Sequence, residues 1–243
     1  ADYAPVYAQF DRAAANPNYE AAREDQDSLL RGLFTTSWLV EDFLQVNDRF
    51  GADACLITSA SSKTSVALGH CVHKRGSLAS IGITSAGNVA FCESLGCYDK
   101  VITYDDVASL DSSQDVVMVD MAGSAQVTSD VHHHFADNLK HSCRIGATHY
   151  EEAGSVQGLP GPRPEFFFAP THVKTRSAEL GVKEFMMGLG IAYAEFRRFS
   201  DSWLTIEASN GAEAITTTYQ AVLTGKSDPA SGQVVSLWLE DAE

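Results

Sequence analysis

From Gly51 onward, short apolar runs alternate with longer segments of helical spacing. Five runs read as strands: Cys55–Thr58, Leu78–Ile83, Lys100–Tyr104, Val116–Asp120 and Cys143–Ala147. They are apolar at successive positions, as strands are when a parallel sheet is covered on both faces. Helical spacing predicts helices over Ser62–Lys74, Asn88–Leu95, Ser124–Asn138 and Lys183–Phe199, and a further helix fits Gly211–Leu223. Upstream, Leu29, Leu30, Leu33, Phe34, Trp38, Leu39, Val40, Phe43 and Leu44 recur at helical intervals behind Ser28 as N-cap, with breaks expected near Gly32 and at Thr35-Thr36. Thr148–Pro164 reads as a loop, Phe166–Pro170 as a short strand ended by proline, and Val234–Leu239 as a closing strand. The alternation predicts an α/β fold: a Rossmann-like doubly wound parallel sheet flanked by helices.

The chemistry concentrates at the first strand-to-helix turn. Ser59, Ala60, Ser61 and Ser62 follow the apolar strand, with Lys63 and Thr64 opening the helix. Backbone N–H groups at such a helix start can face a phosphate. A Walker loop needs Gly-x-x-x-x-Gly-Lys-Ser/Thr; Lys63-Thr64 supplies the final pair, but Ile57 and Ser62 hold the glycine positions. Two readings of the turn stay open. In one, serine and alanine replace the glycines of a dinucleotide site, serine hydroxyls donate to the pyrophosphate and Lys63 neutralises it. In the other, Ser61 or Ser62 merely caps a helix. At the end of the second strand, Thr84, Ser85 and Asn88 stand where NAD sites place an acid for the ribose hydroxyls. Hydroxyls and an amide do not repel a 2′-phosphate, so a dinucleotide bound here is expected to be NADP.

Composition narrows the choice. The 243 residues are 44% hydrophobic, enough for a sizeable core, and carry a net charge of −15. That charge argues against a nucleic-acid partner, which needs clustered Lys and Arg. No stretch approaches a membrane span. Cys55, Cys71, Cys92, Cys97 and Cys143 are odd in number and scattered, so they read as buried thiols in a reducing compartment such as cytoplasm or an organelle matrix or stroma. His132, His133 and His134 lie about 100° apart on a helix and cannot converge on one ion, so they read as a solvated face and no metal is expected. Gly154-Ser155-Val156-Gln157-Gly158 places its serine one position early for a nucleophile elbow. Phe166, Phe167 and Phe168 read either as core or as the wall of a cofactor or substrate pocket near the carboxyl edge of the sheet.

Ser94-Leu95-Gly96-Cys97-Tyr98, running on through Val101-Ile102 to Tyr104, resembles the segment that leads into the third strand of medium-chain dehydrogenases/reductases. Leu33-Phe34-Thr35-Thr36-Ser37-Trp38, Leu56–Thr64, Val119–Gly123, Ile145–His149 and Glu165–Pro170 are more closely similar to a branch of that superfamily, the DUF2855 family. The resemblance spans most of the chain and implies a Rossmann domain that binds NADP. By position it puts Ser61, Lys63 and Thr64 by the pyrophosphate, Thr84, Ser85 and Asn88 by the adenosine ribose, and Tyr104 near the adenine, with Ser59 also among the cofactor-binding residues. Asp120, Ala122, Gly123, Gly146 and Ala147 would lie along the nicotinamide side. The superfamily's N-terminal GroES-like domain has no counterpart here, and the catalytic zinc ligands of alcohol dehydrogenases go with it. Residues 1–50 are accordingly expected to be a lead-in segment and helix left from the connection to that domain. Residues 51–243 are expected to form the nucleotide-binding domain with C-terminal helices and a return strand.

Two functions follow. One is an NADP-dependent oxidoreductase of the zinc-independent quinone or enone reductase type, with an unidentified small-molecule substrate and His149 or Tyr150 as proton source. The other is a non-catalytic subunit of a larger assembly that keeps the fold, for which the lack of turn glycines argues. Self-association is compatible with either.

Overall fold

The protein is described from a computed structural model, over residues 12–16, 19–145 and 158–238. The chain divides into two compact units, Leu33–Ala192, and Ala1–Gly32 together with Tyr193–Glu243. Helices α1 (Glu24–Val46) and α6 (Val182–Ser200) contribute residues to both.

The larger unit holds a six-stranded, wholly parallel sheet in the order β3-β2-β1-β4-β5-β6. Its strands are β1 (Ala54–Thr58), β2 (Ala79–Thr84), β3 (Lys100–Thr103), β4 (Val116–Asp120), β5 (Leu139–Arg144) and β6 (Glu165–Phe166). Between them run α2 (Lys63–Arg75), α3 (Val89–Ser94) and α4 (Ala125–Phe135), and α5 (Ala169–Leu180) follows β6. The central strands divide their side chains between two cores. Ala54 and Leu56 of β1 and Val116 and Met118 of β4 join Ile81, Ile83, Val131 and Phe135 on one face. Cys55, Ile57, Val117 and Val119 join Val40, Leu44, Leu68 and Val72 on the other. Every residue of β1 and β4 is buried, which is why these strands are apolar without alternation. Strand order reverses between β1 and β4, and in such sheets the crevice lies outside the carboxyl ends of the strands at that point.

In the smaller unit, β7 (Thr205–Asn210), α7 (Ala212–Leu223) and β8 (Ser231–Ser236) form a two-stranded parallel βαβ unit. A Cβ added at Gly232 would lie 2.6 Å from Leu29 Cδ2 and 2.8 Å from Ile206 Cδ1, so a larger residue there requires these side-chain ends to shift.

Several elements differ from the sequence expectation. Helix α1 starts at Glu24 and runs unbroken through Gly32, Thr35 and Thr36. Glu24, Asp25 and Asp27 in its first turn suit the positive end of the helix dipole, and the buried Phe34, Leu39, Val40 and Leu44 outweigh the weak helix formers. Helix α4 stops at Phe135, where Ala136 takes a positive φ of 46°, and a 3₁₀ turn covers Ala136–Asn138. Strand β5 therefore begins at Leu139, four residues before the predicted start. Its Lys140 and His141 disguised it, yet His141 lies flat on Phe50 with ring centroids 4.1 Å apart. Pro170 does not end a strand; it sits in the first turn of α5, where a missing N–H costs nothing. Helix α5 has no apolar stripe to read, because it is tied to α1 through ions: His172 and Arg176 both bond Asp42. Strand β7 escaped prediction because four of its six residues are polar. Strand β8 opens at Ser231, three residues early, and belongs to the separate small sheet.

Candidate functional site

The turn after β1 is held from every side. Ser59 adopts a positive φ of 51°, a conformation that glycine takes more easily. The buried Ala60 is tied through both backbone groups: its N–H donates to Ile83 O at 3.0 Å, and its carbonyl accepts from the Tyr98 hydroxyl at 2.8 Å. Ser62 caps α2, its Oγ accepting the Ser65 N–H at 3.2 Å. The fully buried Ser65 donates its hydroxyl to Thr58 O at 2.8 Å, so the first turn of α2 lies against the end of β1. Ser37 of α1 donates to Thr64 O at 2.7 Å and braces the same turn. The expectation that Ser61 or Ser62 caps a helix is met by Ser62. That leaves the ligand question to the remaining polar groups.

Those groups meet at the carboxyl ends of β1, β2 and β3. Ser61 Oγ accepts from Asn88 Nδ2 at 2.9 Å and from Thr84 Oγ1 at 3.4 Å, joining the turn after β1 to the end of β2. Ser59 Oγ and the Tyr104 hydroxyl are 3.3 Å apart, which joins it to the end of β3. Ser59, Ser61, Lys63 and Thr64 are all half-buried, Ser85 is exposed beside Thr84, and no acid stands at the end of β2. Thr84 itself is buried. At the end of β4, Asp120 is only 5% exposed and works inward. Its Oδ1 accepts from Thr58 Oγ1 at 2.8 Å and from the N–H groups of Ala122 and Gly123, both at 3.1 Å. Thr128 Oγ1 reaches Oδ2 at 3.5 Å. The Asp120 carboxylate thus shapes the turn of Ala122 and Gly123, while Thr58 Oγ1 also accepts the Met121 N–H at 3.0 Å. Gly146, Ala147, His149 and Tyr150 lie outside the described residues.

Sequence reasoning missed Tyr98, Ser37 and Thr58. The trace of Tyr98 in the sequence is a pair of glycines. A Cβ at Gly69 would lie 2.6 Å from the Tyr98 ring, and one at Gly82 would lie 3.1 Å from it and 2.9 Å from Ala60 Cβ. Glycine inside a helix and inside a strand signals close approach, but not by what. Burial drives the Tyr98 hydroxyl well above its usual pKa, so it stays a donor to Ala60.

The other candidate chemistry resolves into packing. The three consecutive histidines do diverge, but they are not one solvated face. His132 is fully buried between Pro160 O and Ser142 Oγ, His134 bonds Leu110 O, and only His133 is exposed. The helix places His132 on its core side, where two partners satisfy both ring nitrogens. No group of three or more His, Cys, Asp or Glu able to hold a metal ion occurs among the described residues. All five cysteines are free and buried. Burial pushes the Cys92 thiol up to about 11 and those of Cys97 and Cys143 to about 12, so none is a nucleophile at neutral pH. No described helix is long and apolar enough to cross a membrane.

Comparison with known proteins follows the same outline. Among solved structures, the fold matches Vibrio vulnificus CurA in complex with NADPH, with a TM-score of 0.60 at 14% identity, over 90% of this chain and 67% of that one. Escherichia coli K-12 YhdH with bound NADPH matches with a TM-score of 0.53 at 14% identity, over 84% of this chain and 62% of that one. A mutant enoyl thioester reductase from Candida tropicalis matches with a TM-score of 0.55 at 13% identity, over 92% and 64%. The chain therefore spans about two thirds or less of the structures it resembles. No curated protein matches the sequence. Residues 1–228 match a family described as a protein of unknown function, and the chain belongs to that family, DUF2855.

Proposed function

We propose that this chain binds NADP(H) in the crevice at the carboxyl ends of β1, β2 and β4, as the cofactor part of a zinc-independent reductase of the quinone or enone type. One observation carries the reading. Where strand order reverses, Ser59, Ser61, Thr84, Ser85 and Asn88 stand at the carboxyl ends of β1 and β2, and β2 ends without a carboxylate. These residues fit a phosphorylated ribose: hydroxyls and an amide bond a 2′-phosphate, whereas an acid would repel it. Ser61 and Lys63 at the start of α2 would face the pyrophosphate, where the helix dipole favours negative charge. Tyr104 would flank the adenine, with Ala122, Gly123, Gly146 and Ala147 along the nicotinamide. Bound NADPH supplies a hydride; the chain holds the nicotinamide end, excludes water and offers a proton from His149 or Tyr150. The fold's likeness to structures solved with NADPH supports the choice of cofactor.

A second reading, a non-catalytic subunit, draws on the crevice groups being satisfied within the chain: Ser61 by Asn88 and Thr84, and Asp120 by the turn it shapes. Titration with NADPH, followed by cofactor fluorescence with NADH and ATP as controls, separates the two. Saturable binding of NADPH that weakens about tenfold in Lys63→Ala, roughly the worth of one charge-assisted contact, is the expected result. No binding at millimolar cofactor sinks the reductase reading. Turnover that survives loss of both His149 and Tyr150 removes them as proton sources.

A further inference from the structure

A cavity lies apart from the residues proposed to hold the cofactor. It measures about 280 Å³ and is bounded by α1, β5, the segment Glu165–Phe168 and α5. None of the crevice residues lines it. Its walls are aromatic. Phe43 and Phe167 stand 5.3 Å apart, centroid to centroid, and His172 lies 5.8 Å from Phe43 and 5.7 Å from Phe167. Phe166 and Phe168 also line it, although 56% and 47% of their surfaces are exposed. Phe167 packs against the core, and all three phenylalanines line this cavity.

Ionic contacts tie two of the walls together. His172 Nε2 bonds Asp42 Oδ2 at 2.7 Å, and Arg176 Nε bonds the same oxygen at 2.8 Å, which pins α5 to α1. Thr175 donates its hydroxyl to its own helix at Thr171 O, 3.2 Å away, and so does not project a free donor. Against this satisfied frame one polar group stands out. His141 is only 7% exposed, lines the cavity, and has no hydrogen-bond partner for either ring nitrogen among the described residues. Phe50 covers one face of its ring at 4.1 Å, and Phe43 tilts against it at 5.6 Å. The ring nitrogens of His141 keep surface open to the cavity, where a ligand can reach them. Burial holds the imidazole neutral at neutral pH despite Glu165 nearby, leaving one ring nitrogen as an acceptor. The Cys143 thiol beside it is protonated and inert.

We infer that this cavity is a binding site for a small neutral aromatic molecule whose hydroxyl or ring N–H donates to His141. The size admits one or two rings, near the lower end of known ligand pockets. The aromatic walls favour a planar ring in offset or edge-on contact. The Glu165 carboxylate in the lining and the cation at Arg176, already engaged by Asp42 and Glu179, disfavour an acid. This site does not depend on cofactor binding.

The test uses para-cresol as probe, with toluene and benzoate for comparison, on the whole chain labelled with ¹⁵N at histidine. Para-cresol is expected to move the His141 ring-nitrogen resonance in a saturable way, with benzoate binding at least tenfold more weakly. In His141→Phe, which keeps the stack on Phe50, cresol affinity is expected to fall about tenfold while toluene affinity stays within twofold. A His141 resonance indifferent to cresol in the unmutated chain overturns the inference, whether or not the variant folds. So does equal cresol affinity in the variant.

Discussion

Replacing Asp120 with alanine tests whether this carboxylate is part of the architecture or part of a ligand site. Asp120 is 5% exposed, and its Oδ1 accepts from Thr58 Oγ1 and from the N–H groups of Ala122 and Gly123. Hydrogen bonds to a charged group contribute about 1.5–3 kcal/mol each, and the three share one oxygen, so they do not add in full. Asp120→Ala removes the acceptor from all three donors in a buried place, and a loss of about 3–5 kcal/mol of stability is expected. Asp120→Asn keeps an oxygen at Oδ1 and loses only the charge, so about 1 kcal/mol is expected. Urea unfolding followed by tryptophan fluorescence measures both. If alanine costs under about 1 kcal/mol, or asparagine costs as much as alanine, the carboxylate is not what shapes this turn. NADPH affinity of the asparagine variant should stay within about threefold, since the carboxylate is engaged inward.

Tyr98→Phe removes the hydroxyl from the Ala60 carbonyl while keeping the ring against Gly69 and Gly82. A stability loss of about 1–2 kcal/mol and weaker NADPH binding are expected, and unchanged binding would show that the turn holds its shape without this anchor. The pH response follows from buried histidines. Burial, aided by Lys74 and His73, lowers His70 to about 4, and burial also lowers His132 and His141 from the usual 6.5. Between the folded and unfolded values the unfolded chain binds more protons, so stability falls as pH drops from about 6.5 toward 4. The urea midpoint at pH 5 is therefore expected below that at pH 7, and a midpoint that rises on acidification refutes the assignment.

The parallel sheet was legible because β1 and β4 are apolar up to their last residues, Thr58 and Asp120, a pattern that a sheet covered on both faces makes stable; the strand order came from the structure. The turn after β1 was legible as a turn, since Ser59, Ala60, Ser61 and Ser62 combine small size with capping chemistry. Elements built on polar contacts were not legible. Helix α5 docks by His172 and Arg176 on Asp42, and β5 carries a histidine that stacks like an aromatic residue, so neither advertises itself by hydrophobic period.

Local chemistry by itself determined the cap that opens α2, the buried apolar runs of the central strands and the lack of an acid at the end of β2. Only the tertiary structure decided what those residues touch. It turned Asp120 inward onto Thr58 and the turn it precedes, joined Ser61 to Asn88, and set Tyr98 over Gly69 and Gly82. It also set His141 against Phe50 and Phe43 in the lining of a cavity, with no hydrogen-bond partner among the described residues. The physical reason is range: capping and periodicity act within a few residues, whereas Thr58 and Asp120, or Asp42 and His172, meet only when the sheet and its flanking helices have assembled.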